Sequence, residues 1–443
     1  MLTTANEKLA ALYPAHLDTI RTQYDEALAA TNFDAAIIGA GSEMVRYFDD
    51  QTVPFRPNPH IVQWLPLMQH PESALIYRPG ARPQLLIYQP DDFWHTPPEL
   101  PGEPWAQHFD VLAIARRDNI DDALKRQPGT IAWLGDPAQW RHDPPPAARN
   151  PDNLLKHLHF YRPFRTDYEI ECIRLATQRA VPAHRAAEQA FHAGESEYDI
   201  LLAFLAAGRC TENELPYPAI VAKNTHGAVL HYQHYDREPG HNHSLLLDAG
   251  CGCNGYASDI TRTHDGGDRA FQDLIAGLDA VQQALAAQVA PGKPFAELHA
   301  ATHVAIGELL KEAGIVSATL ADPVEAGITR AFFPHGLGHF LGLQVHEVGG
   351  SYADPAGTEI ERPERYPKLR LVRTLQAGQV LTIEPGLYFI DSLLEDLRAK
   401  PVATSIDWNT VERLKKFGGI RIEDNILVTA DGHENITRRA FGS

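Results

Sequence analysis

Apolar positions recur at helical spacing over residues 5–31, and the apolar stretch 34–40 (DAAIIGA) that follows predicts a strand. Two β-forming runs, 73–77 and 84–88, flank Pro79-Gly80 and predict a hairpin. Strand and helix patterns alternate to about residue 136, and the Pro-rich run 143–146 then marks a linker candidate. Thr166-Asp-Tyr-Glu169 has the form of a capping box and opens a long helix, expected to kink near Pro182. Beyond it, 197–207, 270–289 and 295–313 carry helical periodicity, the last two stopped by Pro291-Gly292 and Gly314. Apolar runs at 218–222, 244–248, 379–384 and 420–428 read as strands, with polar inserts at 350–370 and 391–417. The fold class is α/β (α+β): an N-terminal mixed α/β domain over 1–160 and a second domain over 161–443.

The second domain is organised around 245–263 (LLLDAGCGCNGYASDITRT). Asp248 ends an apolar strand, Asn254-Gly255 predicts a two-residue hairpin turn, and a second strand over 256–263 carries Asp259. With that turn, residue 259 faces residue 250, and 248 points the same way as 250. The two carboxylates then become diagonal neighbours on one face. Acids aimed at each other repel unless a proton or cation lies between them. Turn and capping residues at strand ends are the ordinary alternative.

The net charge of −18 over 443 residues argues against nucleic acid or an anionic membrane as a partner, since either wants a basic face. No apolar run reaches transmembrane length, and the N-terminal segment has no signal-peptide core. Four cysteines (Cys172, Cys210, Cys251, Cys253) are too few for a disulfide framework, so a reducing, cytoplasmic setting is expected. Cys251-Gly-Cys253 lacks the spacing and partner pair of a zinc knuckle and reads as two buried thiols. Gly39-Ala-Gly41 begins like a dinucleotide fingerprint, but Met44 stands where the third glycine belongs and no acid follows for a ribose.

Three further segments set metal-ligand residue types at strand ends or on polar strand faces. Residues 333–348 (FPHGLGHFLGLQVHEV) hold His335, His339 and His346 among glycines that allow a tight path. In 379–386 (QVLTIEPG) an apolar strand runs into Glu384, and Pro385 removes the next ladder donor. In 418–428 (GGIRIEDNILV) Ile420 and Ile422 fall on one face, Arg421 and Glu423 on the other. Singly, each has an ordinary explanation: a hydrogen-bonded core histidine, a turn acid, a Glu423–Arg421 pair. Charges at the ends of so many apolar strands are harder to place, because burying each without a counter-ion is expensive. A dinuclear cation centre removes that penalty for all of them. One imidazole with four carboxylates is a hard ligand set, suited to Mn²⁺ or a related divalent ion.

DAG…NGYASDITRT, PHGLGHFLGLQVHEV, LTIEPGLYF and GGIRIEDNILV resemble, in order and spacing, the metal motifs of the pita-bread metallopeptidases. That superfamily includes methionine aminopeptidase, aminopeptidase P, prolidase and creatinase. The chain looks most like the bacterial Xaa-Pro dipeptidase (prolidase) branch, which includes the organophosphorus acid anhydrolases. The segments YFDDQTVPFRPNPHIVQWLP and YPKLRLVRTLQAGQVLTIEPGLYFI carry the likeness over nearly the whole chain.

The resemblance implies a C-terminal pita-bread domain holding two divalent metal ions, most simply Mn²⁺. Asp248 would chelate one metal, His339 and Glu384 the other, and Asp259 and Glu423 would bridge them. His339 matches the family ligand because it lies seven residues before His346. His231 and His346 would bind substrate or its tetrahedral intermediate, His335 and Arg421 would line the site, and Arg370 would hold the free carboxylate of a Xaa-Pro dipeptide. Glu384 would also shuttle the proton of the attacking water to the departing proline nitrogen. A tertiary amide offers no N–H, so a proline specialist must recognise ring shape and carboxylate. The resemblance also implies a homodimer formed through the N-terminal domain, with a loop near Asp49 and Asp50 reaching the partner's site. Xaa-Pro aminopeptidase action on longer peptides, organophosphate triester hydrolysis as a second activity, and a catalytically dead binding module are the alternatives. Cys251 and Cys253 depart from the residues expected at their loop positions and leave softer ions open.

Overall fold

The computed structural model describes residues 7–102, 104–140 and 147–442. The linker candidate at 143–146 lies outside the described residues. Internal contacts divide the chain into two units. One comprises Met1–Cys172 with Asn254–Tyr256 and Tyr352–Thr358; the other comprises Ile173–Cys253, Ala257–Ser351 and Glu359–Ser443.

The first unit is built on a six-stranded mixed sheet. Its order is Asp110–Ile114, Gln84–Tyr88, Ala74–Tyr77, Ala35–Gly39, Ile131–Leu134, Ala148–Arg149. The expected hairpin is present, with Leu75 opposite Leu85. Helix Glu7–Thr31 buries Leu9, Tyr13, Leu17, Ile20, Tyr24 and Leu28, the three-and-four spacing that predicted it. The capping box also forms: Thr166 N–H donates to Glu169 Oε2 at 2.8 Å, and Glu169 N–H to Thr166 Oγ1 at 3.4 Å.

In the second unit, strand Ser244–Asp248 lies between Ile220–Lys223 and Thr261–Asp265, both antiparallel to it. Asp248 pairs with Thr261, the register expected from a two-residue turn at Asn254-Gly255. Both turn residues have positive φ, 50° and 86°. A second sheet joins Val380–Ile383, Asp424–Val428 and His433–Asn435, and a third pairs Gly386–Tyr388 with Gly419–Arg421. An isolated bridge between Thr261 and Glu423 ties the first sheet to the chain segment shared by the other two.

Three expectations need correction. The run 420–428 is two strands in two sheets, because the chain turns at Ile422-Glu423 and leaves Glu423 between them. Residues 256–263 are likewise broken, and Asp259 lies in the irregular stretch between Tyr256–Ala257 and Thr261–Asp265. The segment 391–417 is no simple polar insert: it forms helices Asp391–Arg398 and Trp408–Leu414, whose Leu394, Leu397, Val411 and Leu414 join an apolar core. The long helix opened by the capping box spans Asp167–Ala193 and includes Pro182. Among the described residues no helix is long and apolar enough to cross a membrane.

Candidate metal centre

Backbone pairing brings the candidate ligands together step by step. Asp248 and Asp259 come from the two arms of the 244–265 hairpin, whose register puts them near one another. Glu423 is joined to the second arm by its N–H, which donates to Thr261 O at 3.0 Å. Glu384 follows strand Val380–Ile383, which is paired to Asp424–Val428 with Ile383 opposite Asp424. Pro385 ends that strand as expected, and the chain resumes in another sheet at Gly386. Residues 337–341 run along the same strand, with Thr382 N–H donating to His339 O and Glu384 N–H to Leu337 O. A Cβ on Gly338 would lie 2.0 Å from Thr382 O, so only glycine permits this approach.

The result is a buried cluster. Ligating atoms of Asp259, His339 and Glu423 lie within 4.8 Å of one another. His339 Nε2 is 3.5 Å from Asp259 Oδ2 and 3.6 Å from Glu384 Oε1. Its Nδ1 is 3.0 Å from the Phe340 carbonyl oxygen, a bond that places the ring proton on Nδ1 and leaves Nε2 as a lone-pair donor. His335 is engaged differently. Its Nδ1 meets Gly336 O at 2.8 Å and its Nε2 meets the Tyr388 hydroxyl at 2.9 Å, so neither nitrogen is open. That contrast separates the two histidines on geometry alone.

Arg421 is buried and donates from Nη2 to Asp248 Oδ2 at 2.7 Å, from Nη1 to Tyr388 Oη at 2.8 Å and from Nε to Thr261 Oγ1 at 3.3 Å. Thr261 Oγ1 donates in turn to Glu423 Oε2 at 2.8 Å. The Glu423–Arg421 pair considered from sequence is therefore replaced by an Asp248–Arg421 pair. With its donors committed, Arg421 orients ligands and does not present a free guanidinium.

The electrostatics suit a cation-binding site. Burial and the Asp248 charge push Asp259 up to about 8. Burial also raises Glu423 well above the usual range, helped by Asp259 and Glu384, and raises Glu384 against the opposing pull of Arg421. Burial drives His339 down to about 3, so the imidazole is neutral. Asp248 Oδ1 and Glu423 Oε1 are buried atoms with no hydrogen-bond partner among the described residues. Leaving such oxygens unpaired costs about 1–3 kcal/mol each, more when charged. The donor set of four carboxylates and an open imidazole nitrogen fits divalent cations, which would pair those oxygens and relieve the repulsion.

The remaining predicted residues lie around this cluster. His346 is exposed and meets the His339 ring edge-on, with centroids 4.5 Å apart. Desolvation first, then Arg370 and His231, lowers it to about 4. His231 is exposed and its charge also acts on His335. Arg370 is exposed, and its charge acts on His339 and Glu384. Val372 N–H donates to Gly350 O, which joins the segment carrying Arg370 to the one carrying His346. Cys251 is buried and Cys253 half-buried.

Sequence reasoning missed Tyr388, Thr261 and Tyr217. Tyr388 joins His335 to Arg421, and its ring packs where a Cβ on Gly386 or Gly419 would lie 2.4–2.5 Å from it. Glycines at opposite ends of that strand pair, Gly386 facing Arg421 and Gly419 facing Tyr388, were the available signal. Tyr217 is half-buried with its hydroxyl buried beside the acids, and desolvation together with the charges of Asp248, Asp259 and Glu423 raises its phenol.

The sequence profile described as "Xaa-Pro dipeptidase, N-terminal domain" matches residues 11–160, and that of "Metallopeptidase family M24" matches residues 171–430. Among curated relatives, the Xaa-Pro dipeptidase of Shewanella pealeana is 42% identical over 98% of each chain. That of Xanthomonas axonopodis pv. citri is 43% identical over 98% of this chain and 99% of its own. Among solved structures, Escherichia coli aminopeptidase P with the inhibitor Pro-Leu superposes with a TM-score of 0.71 over 95% of each chain at 22% identity. Proline aminopeptidase P II from Yersinia pestis gives 0.69 at 25% identity, over 95% of this chain and 96% of its own.

Proposed function

The chain belongs to metallopeptidase family M24, the pita-bread metallopeptidases, and from that premise we propose that it hydrolyses Xaa-Pro dipeptides with two divalent metal ions. The observation that carries the proposal is the convergence of Asp248, Asp259, His339, Glu384 and Glu423 around unpaired buried oxygens. Full-length likeness to Xaa-Pro dipeptidases supports the substrate class.

Asp248, His339 and Glu384 would each hold one ion and Asp259 and Glu423 would be shared. Bound there, the ions supply Lewis acidity toward a carbonyl and a water acidic enough to ionise at neutral pH. The hard, oxygen-rich set favours Mn²⁺. Glu384, raised by burial, is suited to accept a proton from water and pass it to the departing proline nitrogen. His346 and His231 would donate to a developing oxyanion. Arg370 is exposed, unlike Arg421, and offers its planar fork to the dipeptide carboxylate. His335 and Arg421 act through Tyr388 and Asp248 and are positioning residues.

A cytoplasmic homodimer completes the reading. Tyr47, Phe48, Phe93 and Trp94 of the first unit are 89%, 92%, 87% and 78% exposed, an apolar display that a partner would cover. Asp49 and Asp50 lie beside the first two and are exposed as well.

A panel of Xaa-Pro and Xaa-Pro-Yaa peptides, run after reconstitution with Mn²⁺, Co²⁺ or Zn²⁺ singly, tests the assignment. Dipeptides should turn over best, with Mn²⁺, and Glu384→Gln should stay folded with almost no turnover. Preference for tripeptides would instead make the protein an aminopeptidase. Sedimentation of the same preparation should give a dimer, and a monomer would remove that element.

A further inference from the structure

A second group of ligating side chains lies in the same unit. Glu188 and His192 stand one turn apart near the end of helix Asp167–Ala193, on one face by their spacing of four, and His264 belongs to strand Thr261–Asp265. One ligand atom from each lies within 4.8 Å of the other two. His264 Nδ1 is 3.3 Å from Glu188 Oε1. That is wide for a charge-assisted hydrogen bond, which settles near ~2.7–2.9 Å. It matches the edge, about 3.3 Å, of a tetrahedron built on metal–nitrogen bonds of ~2.0–2.1 Å. The other ring nitrogen of His264 is buried without a hydrogen-bond partner among the described residues. A cavity of about 300 Å³ opens over the trio and is also lined by Asp265, Gln272 and Asp279.

We propose that Glu188, His192 and His264 form a third, mononuclear cation site, separate from the dinuclear centre and built for a borderline ion such as Zn²⁺. Two imidazoles with one carboxylate select Zn²⁺ over the hard ions that an oxygen-rich set prefers. Asp265 adds to the attraction for a cation, whereas Asp279 is paired with Arg438. Three protein ligands leave a fourth position to water, and His192 is exposed, so the ion exchanges with solvent. The trio Glu197, His226 and Asp236 is equally compact but carries no such site. There the Glu197 oxygens already accept from Lys223 N–H, His226 Nδ1, Tyr232 Oη and Asp236 N–H. The site does not rest on the proposed substrate.

Equilibrium dialysis of the full Mn²⁺-reconstituted chain against Zn²⁺, with metal analysis, tests it. The wild type should hold one zinc more than His192→Ala, a variant at an exposed position that keeps the fold. In Glu188→Gln the zinc affinity should fall by at least about tenfold, the effect even an outer-shell partner has. Zinc that displaces manganese at the dinuclear centre enters all three proteins alike and cancels in the comparison. Equal zinc content and affinity in wild type and both variants would overturn the site, as would a wild type that takes no zinc beyond the dinuclear pair.

Discussion

Arg421 holds Asp248 by a 2.7 Å bond from Nη2 and, through Thr261, reaches Glu423 on the other side of the cluster. One guanidinium thus orients two acids and leaves one oxygen of each unpaired. Its single positive charge cannot balance four carboxylates, and it directs their open oxygens to where divalent ions can.

Arg421→Lys should therefore fold and fail. A lysine ammonium is a point charge without the planar fork and cannot keep Asp248, Tyr388 and Thr261 together. Metal affinity and kcat/KM should each fall by about 10–100-fold, the scale for losing an outer-shell partner. Metal titration and dipeptide kinetics report both, with circular dichroism to check the fold. Unchanged metal affinity would mean that Asp248 is oriented by something else.

Removing the metals should change how stability depends on pH. In the stripped protein Asp259 titrates at about 8 against 3.8 for a free aspartate, and Glu384 and Glu423 are raised as well. Above the unfolded value and below the folded one, the native state holds protons that the unfolded chain lacks. Stability then falls as pH rises. Half-buried His335 and buried His339 at about 3 and His346 at about 4 work in the opposite sense, but their effect levels off above 6.5, the free histidine value. Between these limits the three raised acids outweigh the Cys210 thiol, which is lowered to about 7 and works in the opposite sense. Chelator-treated protein should melt at a lower temperature at pH 8 than at pH 6.5. Divalent ions should reverse that slope, because ligands bind metal deprotonated. A stripped protein whose melting point is flat or rises over this window would contradict the like-charge crowding.

Much of this site was legible because short-range rules governed it. Asn254-Gly255 fixed the hairpin register and so the proximity of Asp248 and Asp259, and Pro385 ended the strand before it. The alternation across 420–428 was misleading, because periodicity within one run cannot reveal a change of sheet at Ile422-Glu423. Helices at 391–398 and 408–414 went unread because they are short and mostly polar, and only tertiary contact shows that Leu394 and Val411 are core. Tyr388 and Thr261 reach the site through partners 33 and 162 positions away, a pairing that local pattern does not encode.

The loop carrying His231 hangs from one carboxylate. Glu197 is fully buried, and its Oε1 accepts from Lys223 N–H and His226 Nδ1, both at 2.7 Å. Its Oε2 accepts from the Tyr232 hydroxyl at 2.9 Å and from Asp236 N–H at 2.8 Å. These four donors flank His231 on both sides, so Glu197 sets the path of the backbone that presents it. Glu197→Gln turns one of the acceptor oxygens into a donor facing two donors, and each buried group left unpaired costs about 1–3 kcal/mol. The variant should lose several degrees of Tm and lower kcat for dipeptides more than it raises KM, because the group it displaces donates to the developing oxyanion. A purely structural role would give the same Tm loss, so the deciding measurement is a double-mutant cycle with His231→Ala. If Glu197 acts through His231, the double variant loses no more kcat/KM than His231→Ala alone. Fully additive losses would mean that Glu197 supports the fold without positioning His231.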